Sequence, residues 1–499
     1  MKYAFSIIAM LLAISTSAQK AKVKPGIKAP ALKSIVKPGK PVGFAVIKGH
    51  ITNNTNELLD YNWEAYLGYK QGSLKIDKNG DFIQTIKLDG DMMEVYLVVN
   101  DNDYLILLLS AKDTVTLTWD AKDYKKTWAI TANKPGLAAG IKKCDTHRTL
   151  FNGEIRKMRQ AIADRKMPDS VKFGKINALY NKQIQSLLSG DVYTVTMQLA
   201  ADIYFENCKL LLSNNLLPKY ELSLSNPTKE TGYVSVLNDV KAYRREYEEY
   251  YRNSAKYRDF MFDYVRFSQP FSYWGPIGET TKENSLPFAP AWRDYYSGLA
   301  AFHIIELRDW YLTKSIMEDF SYYSFTDASD VYKDFIPKVK TTFYADTLKT
   351  YYSNVQRLKP GGPAPQFTLK DENGKTVTLD SFKGKTVYID FWGVYCGPCI
   401  YDITNNVPAL HEKYKDKNIM FINICVDVNE KEWKESLKKL NLHGVNLLAE
   451  GWTKNPVNKA YGISAIPHYY LIDTEGKIVN NNANGPGEEL YRDLDKLIK

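Results

Sequence analysis

Between residues 44 and 133 the chain is a succession of short apolar or alternating runs. They are Phe44-Ala45-Val46-Ile47, Trp63 to Leu67, Phe82 to Leu88, Val95 to Val99, Leu105 to Leu109 and Thr114 to Trp119. Turn-forming residues separate them, at Asn53-Asn54, Lys78-Asn79-Gly80-Asp81, Asp89-Gly90-Asp91 and Asn100-Asp101-Asn102-Asp103. Alternation sends every second side chain to the same face of a strand, so this stretch predicts a small antiparallel β-sandwich-like domain over residues 44–136. From Leu137 to Val355 the apolar spacing lengthens to three to five residues, as in Ile155-Met158-Ile162, Leu179-Ile184-Leu187-Leu188 and Val236-Val240-Tyr243. That spacing brings side chains back to one side of a helix and predicts an α-helical domain over 137–358. Within it, Phe267 to Trp292, rich in Pro, Gly and aromatics, reads as an exposed ledge, and the cluster Tyr243 to Tyr251 as a solvated helix face.

Lys359-Pro360-Gly361-Gly362-Pro363 breaks the helical pattern. Beyond it, strands are expected at Thr386 to Phe391, Ile419 to Val426, His468 to Ile472 and Lys477 to Val479. Helices are expected at Ile400 to Tyr414, Lys431 to Leu440 and Glu488 to Ile498. Such alternation builds a central sheet with helices on both faces, an α/β domain over 359–499. With 499 residues, more than one core can hold, the chain reads as multidomain.

The N-terminus changes the picture of where the protein works. Lys2 precedes an apolar run from Tyr3 to Ile14 and the small residues Ser15-Thr16-Ser17-Ala18. A positive start, a short apolar stretch and small residues make a secretory signal, residues 1–18, with cleavage expected after Ala18. The run is too short to span a bilayer comfortably, and no Cys lies near the site to carry a lipid anchor; the alternative is an uncleaved membrane anchor. Net charge is +9, yet the first 56 residues hold nine Lys and no Arg, Asp or Glu, so the rest is formally neutral. The excess sits in Lys2 and in a Lys/Pro/Gly-rich stretch, Lys20 to Lys48, which overlaps the linker at residues 19–43 and reads as a flexible or polyproline-like tether. Nucleic acid is not an expected partner for a secreted chain with this charge layout. The 36 Tyr suit helix packing and surface recognition equally and decide neither.

Five Cys occur, and only Cys396 and Cys399 are close in sequence. They follow the strand Val387-Tyr388-Ile389-Asp390-Phe391 and open a helix. Unpaired N–H groups and the helix dipole at such a start favour a thiolate, the nucleophile of disulfide exchange. A second thiol one turn further in is placed to attack a mixed disulfide on the first. The competing reading, half of a zinc site, lacks a second pair: Cys425 stands alone, and His411 and His443 show no matching spacing. Cys425 reads as a mid-strand core thiol, and whether Cys144 and Cys208 pair stays open.

These residues resemble a known family. Ala364-Pro365-Gln366-Phe367-Thr368-Leu369, Gly374-Lys375, Leu379, Gly384-Lys385, Phe391-Trp392-Gly393-Val394-Tyr395-Cys396-Gly397-Pro398-Cys399, and later Ile463-Ser464-Ala465-Ile466-Pro467 with Tyr470-Leu471-Ile472-Asp473 and Gly476, are similar to the TlpA/ResA-like thioredoxin family. The likeness covers roughly 140 residues, from 359 on. The upstream β-rich and helical arrangement looks like the N-terminal extension of Bacteroidetes-type secreted proteins that carry such modules. The resemblance implies a thioredoxin-like fold with Cys396 as attacking thiol, Cys399 as resolving thiol and Asp390 as the buried acid that takes the proton from Cys399. Its alternative role is an exposed acid at a strand end. It further implies substrate-binding positions at Trp392, Tyr395, Gly397, Pro398, Ile466 and Pro467, with Pro467 cis. Two departures bear on substrate choice: Tyr395 replaces the family's usual Trp, and Pro408 comes later in the helix than the family's proline. A peroxiredoxin is excluded because the Pro-x-x-x-Thr-x-x-Cys pattern is missing around Cys396.

The expectation that follows is a periplasmic thiol:disulfide oxidoreductase that reduces disulfides in envelope proteins, needs no cofactor or metal, and is recharged by an electron donor in the membrane. The alternatives are an envelope scaffold that uses the thioredoxin module for docking, and a disulfide isomerase.

Overall fold

The structure, a computed structural model, describes residues 43–100, 103–214, 216, 248–268 and 290–498. The expected signal segment and nearly all of the linker lie outside these residues. So do the Val236-Val240-Tyr243 repeat, most of the ledge at 267–292, and the Asp101-Asn102 centre of one predicted turn. Two compact units divide the described chain, one formed by 43–268 with Arg293–Leu312, the other by 290–292 with 313–498.

The first unit opens with eight strands: β1 (Gly43–Thr52), β2 (Leu58–Ala65), β3 (Gly68–Lys75), β4 (Asp81–Leu88), β5 (Met92–Asn100), β6 (Asp103–Ser110), β7 (Thr114–Asp120) and β8 (Ala129–Ala132). They form two four-stranded sheets, β4-β1-β7-β8 and β3-β2-β5-β6. The expected antiparallel arrangement needs correcting, because β1 and β7 run parallel, with Val46 opposite Thr114. A parallel pair cannot be joined by a hairpin, and the second sheet is built from the chain that connects them. Two strands escaped the pattern. In β3, GYKQGSLK, Leu74 is the single buried residue, and β8 is only four residues long. The predicted strand at Trp63 to Leu67 stops at Ala65, because Tyr66-Leu67 form the turn into β3.

Helices follow: α1 (Leu137–Ile162), α2 (Asp169–Leu188), α3 (Thr194–Ser213), α4 (Glu248–Asn253), α5 (Ala255–Ser268), α6 (Pro290–Ala301), α7 (Ile305–Tyr322), α8 (Phe325–Phe335) and α9 (Thr342–Val355). Many of the described tyrosines here are core: Tyr180, Tyr251, Tyr257, Tyr295, Tyr311 and Tyr344 are all buried. Within the cluster Tyr243 to Tyr251, whose residues 243–247 lie outside the described residues, Tyr251 departs from the solvated-face reading while Glu248 is exposed as expected. Cys144 and Cys208 are both buried and free, so the open question of their pairing resolves against a disulfide.

The second unit carries a seven-stranded sheet. Its strands are β9 (Thr368–Asp371), β10 (Thr376–Thr378), β11 (Thr386–Trp392), β12 (Ile419–Cys425), β13 (Val445–Leu448), β14 (His468–Ile472) and β15 (Ile478–Asn480), in the order β10-β9-β13-β12-β11-β14-β15. Every residue of β11 is buried, as a strand covered on both faces requires. Val387, Ile389 and Phe391 enter one core with Leu358, Phe367, Ile424 and Tyr461. Tyr388 and Trp392 face the other way, toward α10 (Gly397–Asn405), α11 (Val407–Tyr414), α12 (Glu430–Leu440) and α14 (Glu488–Leu497), through Ile403, Leu410, Trp433 and Leu490. The short α13 (Pro456–Ala460) contributes Val457 to the first core.

One predicted helix, Ile400 to Tyr414, is two. It starts earlier, at Gly397, and breaks at Asn406, with Pro408 in the first turn of α11. Proline lacks an N–H and its ring collides with the carbonyl four residues back, so the second segment restarts around it.

Candidate functional site

The end of β11 decides what lies beneath the thiols. Trp392 packs in one cluster with Cys399, Ile403, Val407, Cys425 and Trp433, and Cys396 lies against the same cluster. After it, Gly393-Val394-Tyr395 turn into α10, with Cys396 at the N-cap and Pro398 in the first turn. The Cys399 N–H donates to Cys396 Sγ at 3.1 Å. A helix start leaves its first N–H groups without helical partners, and here one of them points at sulfur, where it would stabilise the negative charge of a thiolate once the site is reduced. Cys396 and Cys399 form a disulfide with Cα atoms 5.2 Å apart. Cys396 is half-buried and its neighbours Gly397 and Pro398 are exposed, whereas Cys399 is 1% exposed. The first cysteine keeps part of its surface in solvent and the second is closed off.

Asp390 lies two residues before Trp392 on the same face of β11, paired across the sheet with Asn423 and Tyr469. It is 4% exposed, and its Oδ1 has no hydrogen-bond partner among the described residues. Burial first, and then the Asp402 carboxylate, push its pKa up to about 8. An exposed strand-end acid is thereby ruled out. Asp402, one helical turn past Cys399, accepts from the Tyr469 hydroxyl at 2.9 Å and from Asn406 Nδ2 at 2.6 Å.

The Ile466–Pro467 bond is cis, and Ile466 packs against the cluster that holds both thiols. Tyr395 is 76% exposed, its hydroxyl donating to Glu432 Oε1 at 3.1 Å. Trp392, expected among the substrate-binding residues, needs correcting: it is 0% exposed and so presents no ring surface to a docked partner. Its place at the end of a strand buried on both faces explains this. Cys425 is at the end of β12 rather than mid-strand, buried, and desolvation first of all pushes its thiol up to about 12. Asp402 and Asp427 belong to the site but did not stand out in the sequence. Asp402 could have been found one turn after Cys399; Asp427 could have been found only from the strand register. Among the described residues, no three His, Cys, Asp or Glu side chains gather as a metal site.

Residues 359–497 match the Redoxin family. The thiol-disulfide oxidoreductase ResA of Bacillus cereus is 30% identical over 149 residues, 30% of this chain and 82% of that protein. ResA of Bacillus subtilis is 33% identical over 149 residues, covering 30% and 80% respectively. The crystal structure of the thioredoxin domain of a thiol-disulfide oxidoreductase from Bacteroides vulgatus is 30% identical, covers 28% of this chain and 99% of that one, and has a TM-score of 0.26. The chain belongs to the TlpA/ResA-like family of thiol-disulfide oxidoreductases. Its C-terminal third is the thioredoxin-like part that the family shares.

Proposed function

We propose that this protein reduces disulfides in partner proteins outside the cytoplasm, with Cys396 as attacking and Cys399 as resolving thiol. The observation that carries the reading is the half-buried Cys396 at a helix N-cap, its sulfur held by the Cys399 N–H and bonded to the shielded Cys399. In the reduced protein the Cys396 thiolate attacks one sulfur of the partner disulfide, forming a mixed disulfide and releasing the first partner thiolate. Asp390 takes the Cys399 proton. The Cys399 thiolate then attacks Cys396 Sγ, restores the intramolecular disulfide and releases the second partner thiolate. Two electrons pass from the dithiol to the partner, and a dithiol donor resets the site by the reverse exchange. Gly397, Pro398, Tyr395 and the Ile466-Pro467 loop supply the docking surface.

The extracytoplasmic address rests on the secretory pattern at residues 1–18. No helix among the described residues is long and apolar enough to cross a membrane. The test is reduction of insulin by the full chain together with capture by Cys399→Ser, which leaves no resolving thiol. Activity abolished in Cys396→Ser, and mixed disulfides accumulating on Cys396 in Cys399→Ser, are expected. Insulin left oxidised by the wild type sinks the reductase reading, and repair of scrambled substrates in its place points to an isomerase.

A further inference from the structure

Asp427 follows β12, far along the chain from the thiols, yet its carboxylate reaches the loop that leads into them. Oδ1 accepts the Val394 N–H at 2.9 Å and Oδ2 accepts the Tyr395 N–H at 3.0 Å. Charge-assisted bonds of this kind are roughly twice as strong as neutral ones, and two on adjacent amides fix the loop in both position and direction. The fit is close. A Cβ on Gly393 would come within 2.5 Å of Asp427 Oδ2 and 2.6 Å of Ile466 Cδ1, so the loop, the carboxylate and the residue before Pro467 meet with no room for a methyl group. Among the described residues no Lys or Arg pairs with Asp427. The other titratable groups touching this loop and its carboxylate are the Tyr395 phenol, Glu432 through that phenol, and Cys425, whose Sγ lies 3.6 Å from Asp427 Oδ1. Asp390 lies deeper on β11. Each of these is neutral or acidic.

We propose that Asp427 is a positioning residue of the redox site, which fixes the loop before Cys396 and, through its negative charge, biases the dithiol toward giving up electrons. The inference rests on Cys396 being the attacking thiol. The helix start favours the thiolate; a carboxylate fixed on the preceding residue opposes it. A less acidic thiol makes the reduced form less stable relative to the disulfide, and hence a stronger reductant. Asp427 also occupies the Val394 and Tyr395 amides, which would otherwise be free to turn toward the sulfur.

The experiment compares the full-length wild type with Asp427→Asn and Asp427→Ala. Three readouts serve: the pH profile of Cys396 alkylation by iodoacetamide, the dithiol–disulfide equilibrium in glutathione buffers, and amide exchange at residues 394 and 395. Asp427→Asn is nearly isosteric and keeps the test open if the Ala variant misfolds. Loss of a neighbouring charge commonly changes an ionisation constant by about tenfold, so the Asn profile should move to lower pH by about one unit. Its glutathione equilibrium should shift severalfold toward the dithiol, and both amides should exchange at least about tenfold faster in Asp427→Ala. A profile and an equilibrium in Asp427→Asn that match the wild type overturn the proposal, as do amides equally protected in all three proteins. If the wild type has no alkylatable thiol that vanishes in Cys396→Ser, the reading of the site fails instead, and Asp427's role with it.

Discussion

Asp390 is an acid kept where a carboxylate is costly. Its pKa, pushed up to about 8 by burial and then by Asp402, stands far above the value near 4 of an unfolded chain. Between those two values the unfolded state has given up a proton that the folded state still holds. The contribution of Asp390 to stability is therefore greatest below about pH 4, falls as pH rises toward 8, and levels off above it. Asp390→Asn removes this dependence. Urea unfolding should find it more stable than the wild type by a few kcal/mol at pH 8 to 9, with the gap closing near pH 4. The same substitution should slow insulin reduction about ten- to a hundredfold at neutral pH, since no base remains to take the Cys399 proton. It should also flatten the rise in rate that the wild type shows as pH approaches 8. Equal rates and parallel pH profiles would remove Asp390 from the mechanism.

At the level of elements, the site is a junction of three chain segments, and Gly393 is where they are tightest. Gly393→Ala forces a methyl group against Asp427 Oδ2 and Ile466 Cδ1. Overpacking of this kind typically costs about 1–3 kcal/mol, to be read from the urea midpoint, and insulin reduction should fall with it. An unchanged midpoint would mean the junction yields more readily than the contacts suggest. The same junction shows how much could be read from the sequence. Cys396 and Cys399 were legible because their chemistry lies within one helical turn, and Asp390 only through the family resemblance, which marks an acid six residues before Cys396. Asp427 was not, because it reaches the site through the parallel pairing of β11 and β12, which sets Trp392 opposite Cys425 and so carries residue 427 alongside 394. Trp392 was misread for a related reason: the motif showed its neighbours in sequence, not the two layers that close over its ring. Strands β9, β10 and β13 were missed because three or four residues offer too little alternation to detect. In the N-terminal sheets, the pattern showed six of the eight strands but not the direction of the β1–β7 pair, which no local signal encodes.

For the molecule as a whole, the boundary proposed at residue 359 has a measurable weakness. Leu358, just before it, is 6% exposed in the core beneath β11, and Tyr351 on α9 donates to the Met317 carbonyl on α7. A fragment starting at Thr313 should therefore outlast one starting at Lys359 in urea. The loss of a buried leucine alone is worth about 2–4 kcal/mol. Identical midpoints would place the boundary at 359 after all.

The seating of β11 between β12 and β14 also has a consequence for synthesis. One neighbour of β11, together with the Pro467 turn, leaves the ribosome well after the two cysteines. Until Tyr469 pairs with Asp390, a nascent chain carries both cysteines without the wall that encloses the acid beneath them. A product ending before Ile472 would hold two thiols in the right order and no finished place for a partner strand to rest.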